Sequence, residues 1–340
     1  MQLNIIHNTD CLTGLRHLPD NCVDCCVTSP PYYGLRDYGV DGQIGLEETP
    51  EMYIERLVEV FMEIYRVLKK SGTLWINIGD SYAGSGRGKG DINKKGVQST
   101  ASYIGDVFDK PHRLSGYKNK DLIGVPWSLA LALREKGWYL RQDIIWHKPN
   151  PMPESVTDRC TKAHEYILLL AKSPKYYFDY EAIQEPAAYD GRKAMTRGPS
   201  AKYGQTVING FNQQTISVKG GDRWKTKKSA FGGEHWDGTN RKDIGNVWEY
   251  GFIRNKRSVW TVCTQAEKEA HFACFPEKLI VDCIKAGCPE GGIVLDPFMG
   301  SGTTAVVAKK LNRNYIGFEL NPEYVEIANR KLRREIGMFL

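Results

Sequence analysis

Residues 293–304 run Ile-Val-Leu-Asp-Pro-Phe-Met-Gly-Ser-Gly-Thr-Thr. A short apolar run enters a glycine-rich turn, and a helical pattern follows over 302–311. Gly300 and Gly302 let the backbone turn tightly and let a ligand approach it closely. The next apolar run, Asn314 to Phe318, ends in Glu319. A carboxylate at the end of a second strand accepts hydrogen bonds from the hydroxyls of a ribose. Strand, glycine turn, helix, strand and carboxylate make a nucleoside-binding half-fold. Gly300-x-Gly302-x-x-Ala305 also fits a dinucleotide fingerprint, so an oxidoreductase stays open as an alternative here. Asp296 argues against it, because a carboxylate sits badly beside a pyrophosphate and well beside the ammonium of a methionine moiety. The turn lacks the Gly-Lys-Ser/Thr ending of a P-loop, which argues against ATP.

Outward from this stretch the same alternation continues. Cys22 to Thr28 is a short apolar run that predicts a buried strand. Pro50 to Lys70 carries Ile54, Leu57, Val58, Phe61, Ile64, Tyr65 and Leu68 at helical spacing, with Ser71-Gly72 as its stop. Strands follow at 74–78, 138–146 and 164–171, and helices at 122–136, 277–286 and 322–334. The spacing predicts an α/β fold with a doubly wound, Rossmann-like, mostly parallel sheet.

Two stretches break the rhythm. Residues 81–120 are rich in Gly, Ser and Lys, and 84–96 could close over a substrate. Residues 181–262 hold 14 Lys/Arg against 8 Asp/Glu, so this segment carries the whole net charge of +6. Arg192, Arg197, Arg223, Lys225, Lys227, Lys228, Arg241, Arg254, Lys256 and Arg257 lie there among tryptophans and tyrosines. Such a surface faces a polyanion: lysines neutralise phosphates, and Arg reads guanine edges. The expected organisation is one domain from 1–180 and 263–340, with the target-recognition region 181–262 inserted.

Ser29-Pro30-Pro31-Tyr32 follows the strand at 22–28. Two prolines stop any strand and stiffen the loop. The Ser29 hydroxyl and Pro30 carbonyl can then grip an amino group by its hydrogens and bend its lone pair out of conjugation with an attached ring. Tyr32 offers a flat face on which an extruded base stacks. The nine cysteines are scattered, several in apolar runs, and read as reduced and buried. Cys22-x-x-Cys25 has no second pair at zinc spacing, so no metal is expected. No apolar run reaches a membrane span, and the N-terminus lacks a signal peptide's pattern. A cytoplasmic protein is expected.

With these motifs in place, the chain resembles the bacterial and phage amino-methyltransferases of DNA, in their permuted order with the catalytic motif before the cofactor motif. The resemblance runs through residues 9–32, Leu68 to Trp75, His271 to Leu279 and Asp296 to Thr304. It implies S-adenosylmethionine as cofactor and double-stranded DNA as substrate. Asp10 would lie near the adenine, Asp296 near the methionine end and Glu319 on the ribose. Phe298 would shield the cofactor and Thr303 anchor it, with Thr28, Pro297, Gly300, Gly302 and Thr304 completing the set. Ser29, Pro30, Pro31 and Tyr32 would be catalytic. A cognate restriction endonuclease is a partner the resemblance allows, as are nucleoid association and a monomer or homodimer. In this family Ser-Pro-Pro-Tyr goes more often with cytosine N4 and Asp-Pro-Pro-Tyr with adenine N6, so cytosine is expected and adenine is the alternative.

Overall fold

The structure is a computed structural model. It describes residues 1–35, 39–83, 116–186, 253–265 and 275–337, together with the backbone of three strands within 195–214. The chain divides into two compact units, Met1–Ile183 with Lys256–Leu340, and Gln184–Asn255.

The first unit is built on an eight-stranded sheet. Its strands in chain order are β1 (Ile5–Asn8), β2 (Val23–Thr28), β3 (Leu68–Ile78), β4 (Tyr139–His147) and β5 (His164–Ala171). In the second unit come β6 (Glu185–Pro186), β7 (Met195–Thr196), β8 (Gln205–Ile208), β9 (Phe211–Gln214) and β10 (Ile253–Arg254). The first unit resumes with β11 (Val259–Thr261), β12 (Ile293–Asp296) and β13 (Asn314–Glu319). The helices are α1 (Cys11–Arg16), α2 (Pro50–Val67), α3 (Val125–Glu135), α4 (Glu277–Gly287), α5 (Thr303–Lys310) and α6 (Pro322–Ile336). The sheet order is β1-β13-β12-β2-β3-β5-β4-β11. Every neighbouring pair is parallel except the two made by β5, which runs against the rest.

The sheet is buried on both faces, and its alternation sorts side chains between two cores. In β2, Cys26 packs with α1, α2 and α3 on one face, while Cys25 and Val27 pack with α4, α5 and α6 on the other. Helix α2 begins where Thr49 caps Met52 N–H at 3.2 Å with Pro50 in the first turn. It buries Tyr53, Ile54, Leu57, Val58, Phe61 and Ile64 along one stripe.

Three expectations change. The helix over 50–70 ends at Val67, and the strand expected at 74–78 starts at Leu68. Leu68 is fully buried and pairs with Val23, and the register then slips to Cys25 opposite Thr73, so Lys69–Gly72 bulge out. Strand β1 and helix α1 were not anticipated; Asn4 and Asn8 bind β13 there as the edge of the sheet. The inserted segment is shorter than 181–262. Val259–Thr261 pairs with β4, and Trp260, 6% exposed, stacks near Trp75 in the core.

In the second unit, Glu185–Pro186 and Ile253–Arg254 pair antiparallel, so the two ends of the segment meet. Strands β7, β8 and β9 form a separate antiparallel sheet. No helix among the described residues is long and apolar enough to cross a membrane.

The crossovers β2–α2–β3 and β12–α5–β13 leave the β12/β2 pair in opposite directions across the sheet. In open sheets of this kind ligands bind at the carboxyl ends of the strands at such a switch point. Gly302 stands there with φ of 82°, and a Cβ on it would meet Ala328 Cβ of α6 at 2.7 Å. Gly302→Ala is therefore expected to cost about 2–4 kcal/mol, from left-handed strain and overpacking together. Urea denaturation of the variant checks this, and an unchanged midpoint contradicts it.

Candidate active site

A cavity of about 710 Å³ opens at the carboxyl ends of β2, β12 and β13. Its size suits a nucleoside-bearing ligand together with a second group. One wall belongs to the loop after β12. Gly300, with φ of 52°, turns its N–H onto Glu319 Oε2 at 2.8 Å, while Asn321 N–H donates to Oε1 at 2.9 Å. Each oxygen of Glu319 keeps a further lone pair for a hydroxyl. Burial pushes this carboxyl upward against those two N–H groups. Pairing of Asn8 with Glu319 brings the end of β1 alongside. Asp10 follows as the cap of α1, accepting Thr13 N–H at 2.9 Å. Two carboxylates thus stand on neighbouring strand ends, with Pro297, Phe298, Gly300 and Thr303 on the same wall.

The opposite wall is the loop after β2. Ser29, Pro30, Pro31 and Tyr32 all line the cavity. The buried Tyr53 of α2 donates its hydroxyl to the Pro31 carbonyl at 2.7 Å, which fixes the loop from behind. Tyr32 lies so close to Gly79 that a Cβ there would meet its ring at 2.7 Å. Its phenol donates to Glu165 Oε2 at 2.7 Å.

Four of the expected residues stand behind the walls. Asp296 is 1% exposed and accepts Thr28 Oγ1 and Thr304 Oγ1, each at 2.6 Å, and Phe298 N–H at 3.0 Å. Thr28 and Thr304, which hold that carboxylate, are buried as well, and so is Gly302. Asp296 does not itself line the cavity, and these donors hold it between the two loops. Among the basic residues, Arg254 pairs with Glu185 at 2.9 Å. Lys256 pairs with Asp282 at 2.7 Å and lies over the Trp260 ring, and Arg257 is exposed. Arg192, Arg197, Arg223, Lys225, Lys227, Lys228, Arg241 and the loop 84–96 fall outside the described residues.

The cavity's far end is lined by Asn77, Asp80, Trp146, Lys148, Lys162, His164 and Glu165, none of which stands in a motif of the sequence. Asp80 accepts N–H bonds from Gly124 and Val125, both at 3.0 Å, and so caps α3. Lys162 donates to the Asp80 carbonyl at 2.8 Å, and burial pushes its amine down. Lys148 pairs with Glu165, and Asn77 Nδ2 donates to Glu165 Oε2 at 3.1 Å. The available signal was two polar residues, His164 and Glu165, opening an otherwise apolar strand. Cys11 also reaches the cavity, but burial and Asp10 push its thiol up to about 12, so it stays protonated and poorly nucleophilic. Among the described residues no cluster of His, Cys, Asp and Glu is suited to a metal.

The model of the DNA methylase family matches residues 23–330. The chain is 44% identical over 326 residues to the Type II methyltransferase M.Cfr9I of Citrobacter freundii, covering 96% of this chain and 86% of that one. It is 42% identical over 325 residues to the Type II methyltransferase M.SmaI of Serratia marcescens, covering 96% and 89%. The fold is similar to that of PvuII DNA methyltransferase (cytosine-N4-specific), with TM-score 0.58 at 16% identity, covering 95% and 84%. It is also similar to TTHA0409 of Thermus thermophilus complexed with S-adenosyl-L-methionine, with TM-score 0.54 at 22% identity, covering 97% and 93%.

Burial raises the Asp296 carboxyl from 3.8 to about 6, and its three donors offset only part of the rise. Between those values the unfolded state ionises first, so stability linked to this group is present below pH 3.8 and lost as pH passes about 6. Asp296→Asn removes the titration. Its unfolding free energy relative to the parent is expected to rise by about 3 kcal/mol between pH 4 and 7. Denaturation curves across that range measure it, and a pH-independent difference contradicts it.

Proposed function

Because this chain belongs to the N6/N4 DNA methylase family, a family of S-adenosylmethionine-dependent enzymes, we propose that it methylates the exocyclic N4 amine of cytosine in double-stranded DNA. The observation that carries this reading is the loop Ser29-Pro30-Pro31-Tyr32, which shares one cavity with the Gly300 turn and Glu319.

The residues fit the cofactor. Glu319 has lone pairs left for a ribose, Asp10 stands on the neighbouring strand end, and Gly300 leaves open space where a side chain would stand. Phe298 and Pro297 supply an apolar wall, and Thr303 a hydroxyl. When bound there, S-adenosylmethionine supplies a sulfonium-activated methyl group. The protein's own part is to grip and orient the amine. Ser29 Oγ and the Pro30 carbonyl accept its two N–H bonds, which turns the nitrogen lone pair out of the ring plane. Tyr32 stacks on the extruded base. No cysteine nucleophile is required, because the amine itself attacks.

A serine at position 29 favours cytosine. A hydroxyl accepts from the amine and donates to the ring nitrogen of cytosine, whereas a carboxylate only accepts. The segment 184–255 reads the DNA sequence, with Arg192, Arg197, Arg223, Lys225, Lys227, Lys228 and Arg241 on phosphates and bases. Modification within a Type II restriction system, beside a cognate endonuclease, fits this activity and the naming of its relatives.

Purified protein incubated with S-adenosylmethionine and unmethylated DNA is expected to yield N4-methylcytosine on nucleoside mass spectrometry. N6-methyladenine alone overturns the choice of base. Ser29→Ala is expected to lower the transfer rate about 100-fold or more while cofactor binding holds. Neutralising Lys225, Lys227 and Lys228 together is expected to flatten the slope of log affinity against log salt by roughly 2 to 3. An unchanged slope removes those lysines from the DNA interface.

A further inference from the structure

We propose that Met152 is a wedge: its side chain enters the base stack of the duplex and fills the gap left by the extruded target base. The inference rests on the reading above, in which the target base leaves double-stranded DNA for the cavity beside Ser29.

A base that swings out of a duplex leaves its neighbours unstacked and its partner unpaired. Unless something occupies that space, the base returns. Proteins that open DNA in this way press apolar side chains, methionine among them, between base steps. The demand on the protein is definite. An apolar side chain must stand in solvent at the mouth of the pocket, on backbone stiff enough to be pushed into a stack.

Met152 is 62% exposed, and among the described residues it is the one exposed large apolar side chain that lines the cavity. A residue that both lines a cavity and stands in solvent lies at its rim. A single exposed methionine is ordinary in itself. The setting of this one is not. It belongs to the stretch Pro149-Asn150-Pro151-Met152-Pro153. Each proline fixes its own φ and restricts the residue before it, so Met152 is confined from both sides.

The stretch is also clamped at each end. Before it, Lys148 N–H donates to the Ala163 carbonyl at 2.8 Å. The Asn150 amide holds the backbone of Thr264 twice, accepting its N–H at 3.0 Å and donating to its carbonyl at 3.4 Å. After it, Glu154 Oε2 accepts Arg159 Nη1 at 2.6 Å and Lys162 N–H at 3.4 Å. The Arg159 guanidinium lies 4.1 Å from the centre of the Tyr82 ring. None of these clamps uses the Met152 side chain. The backbone is held while an unbranched, polarisable side chain stays able to fit the faces of different bases.

The loop leaves the end of β4, and β4 points the same way as β2 through two antiparallel pairings with β5. Met152 and the Ser29–Tyr32 loop therefore rise from one edge of the sheet, on one cavity. A duplex that presents a base to Ser29 meets Met152 in the same approach. The wedge acts on the opening of the duplex and not on the methyl donor, and that separation supplies the test.

The full-length protein is used, with short duplexes carrying the sequence that the parent methylates. The target base is either paired or mispaired. A mispaired base needs less work to extrude. Single-turnover transfer from labelled S-adenosylmethionine is measured for the parent, Met152→Ala and Met152→Leu, with the cofactor Kd taken by calorimetry. On the paired duplex, Met152→Ala is expected to be slower than the parent by roughly 10- to 50-fold, and Met152→Leu to stay within about threefold. On the mispaired duplex the gap between parent and Met152→Ala is expected to close to about threefold or less. The cofactor Kd is expected to stay within about twofold, and the urea midpoint to be unchanged, because the side chain lies outside the core. Met152→Ala at the parent rate on the paired duplex overturns the proposal. An equal loss on both duplexes overturns it too, since it marks a contact with the extruded base in place of a wedge. Should mispairing silence the parent, the paired duplex decides alone, and equal rates for Met152→Ala and Met152→Leu overturn the proposal. A parent that methylates no DNA amine removes the proposed function and the wedge together, whereas an active parent matched by Met152→Ala removes the wedge alone.

Discussion

The buried Asp296 carboxylate is the interaction on which the rest of the site depends. A charge withdrawn from water is tolerated only where donors replace the lost hydration. Asp296 takes its donors from three places: Thr28 at the end of β2, Thr304 in α5 and the Phe298 backbone. Thr28 is 268 residues away in sequence and immediately precedes Ser29. Satisfying one carboxylate thus ties the Ser-Pro-Pro-Tyr loop to the glycine turn. Both threonine bonds are short and both hydroxyls are buried, so neither loop shifts without exposing a donor or stranding the acceptor. The spacing between the two walls of the cavity follows from this link.

The second determinant is the single reversed strand. In a wholly parallel sheet only strand ends reach the carboxyl edge. Because β5 is antiparallel, its beginning reaches that edge, and the beginning carries His164 and Glu165 while the rest is apolar. The cavity therefore has two kinds of wall. The side made by β1, β12 and β13 offers carboxylates and backbone turns suited to a nucleoside. The side made by β2, β3, β4 and β5 offers Tyr32, Asn77, Lys148 and Glu165, a mutually paired polar set.

Where an element is visible in the sequence, the reason is its own composition. Strands β2 and β5 are built on apolar runs, Cys25–Val27 and Ile167–Ala171, and both occur where the pattern places them. The glycine turn and Glu319 are legible because their conformational demands are local. Strand β1 is not, since Ile5-Ile6-His7-Asn8 carries two apolar residues and no period; its partner β13 makes it a strand. The same holds for Val259-Trp260-Thr261, which sits in a basic segment and owes its state to β4. Asp296 was identifiable as a special residue, but a sequence shows a charge and not the direction it faces. Glu165 was hidden more deeply. Its meaning depends on Tyr32, 133 positions earlier, and on the strand direction that brings them together.

These features bear on how a serine serves where related loops carry an aspartate. An aspartate accepts hydrogen bonds whatever surrounds it, so its contribution is contained in one residue. A serine does not have a fixed polarity, and its neighbours must decide whether it donates or accepts. The far end of the cavity, where Trp146, Lys148 and His164 stand, is the other surface that a base entering it would meet. Around this loop the fixed polarity comes from the paired set of Tyr32, Asn77, Lys148 and Glu165, in which Tyr32 and Asn77 Nδ2 both donate to Glu165 and Lys148 holds its other oxygen.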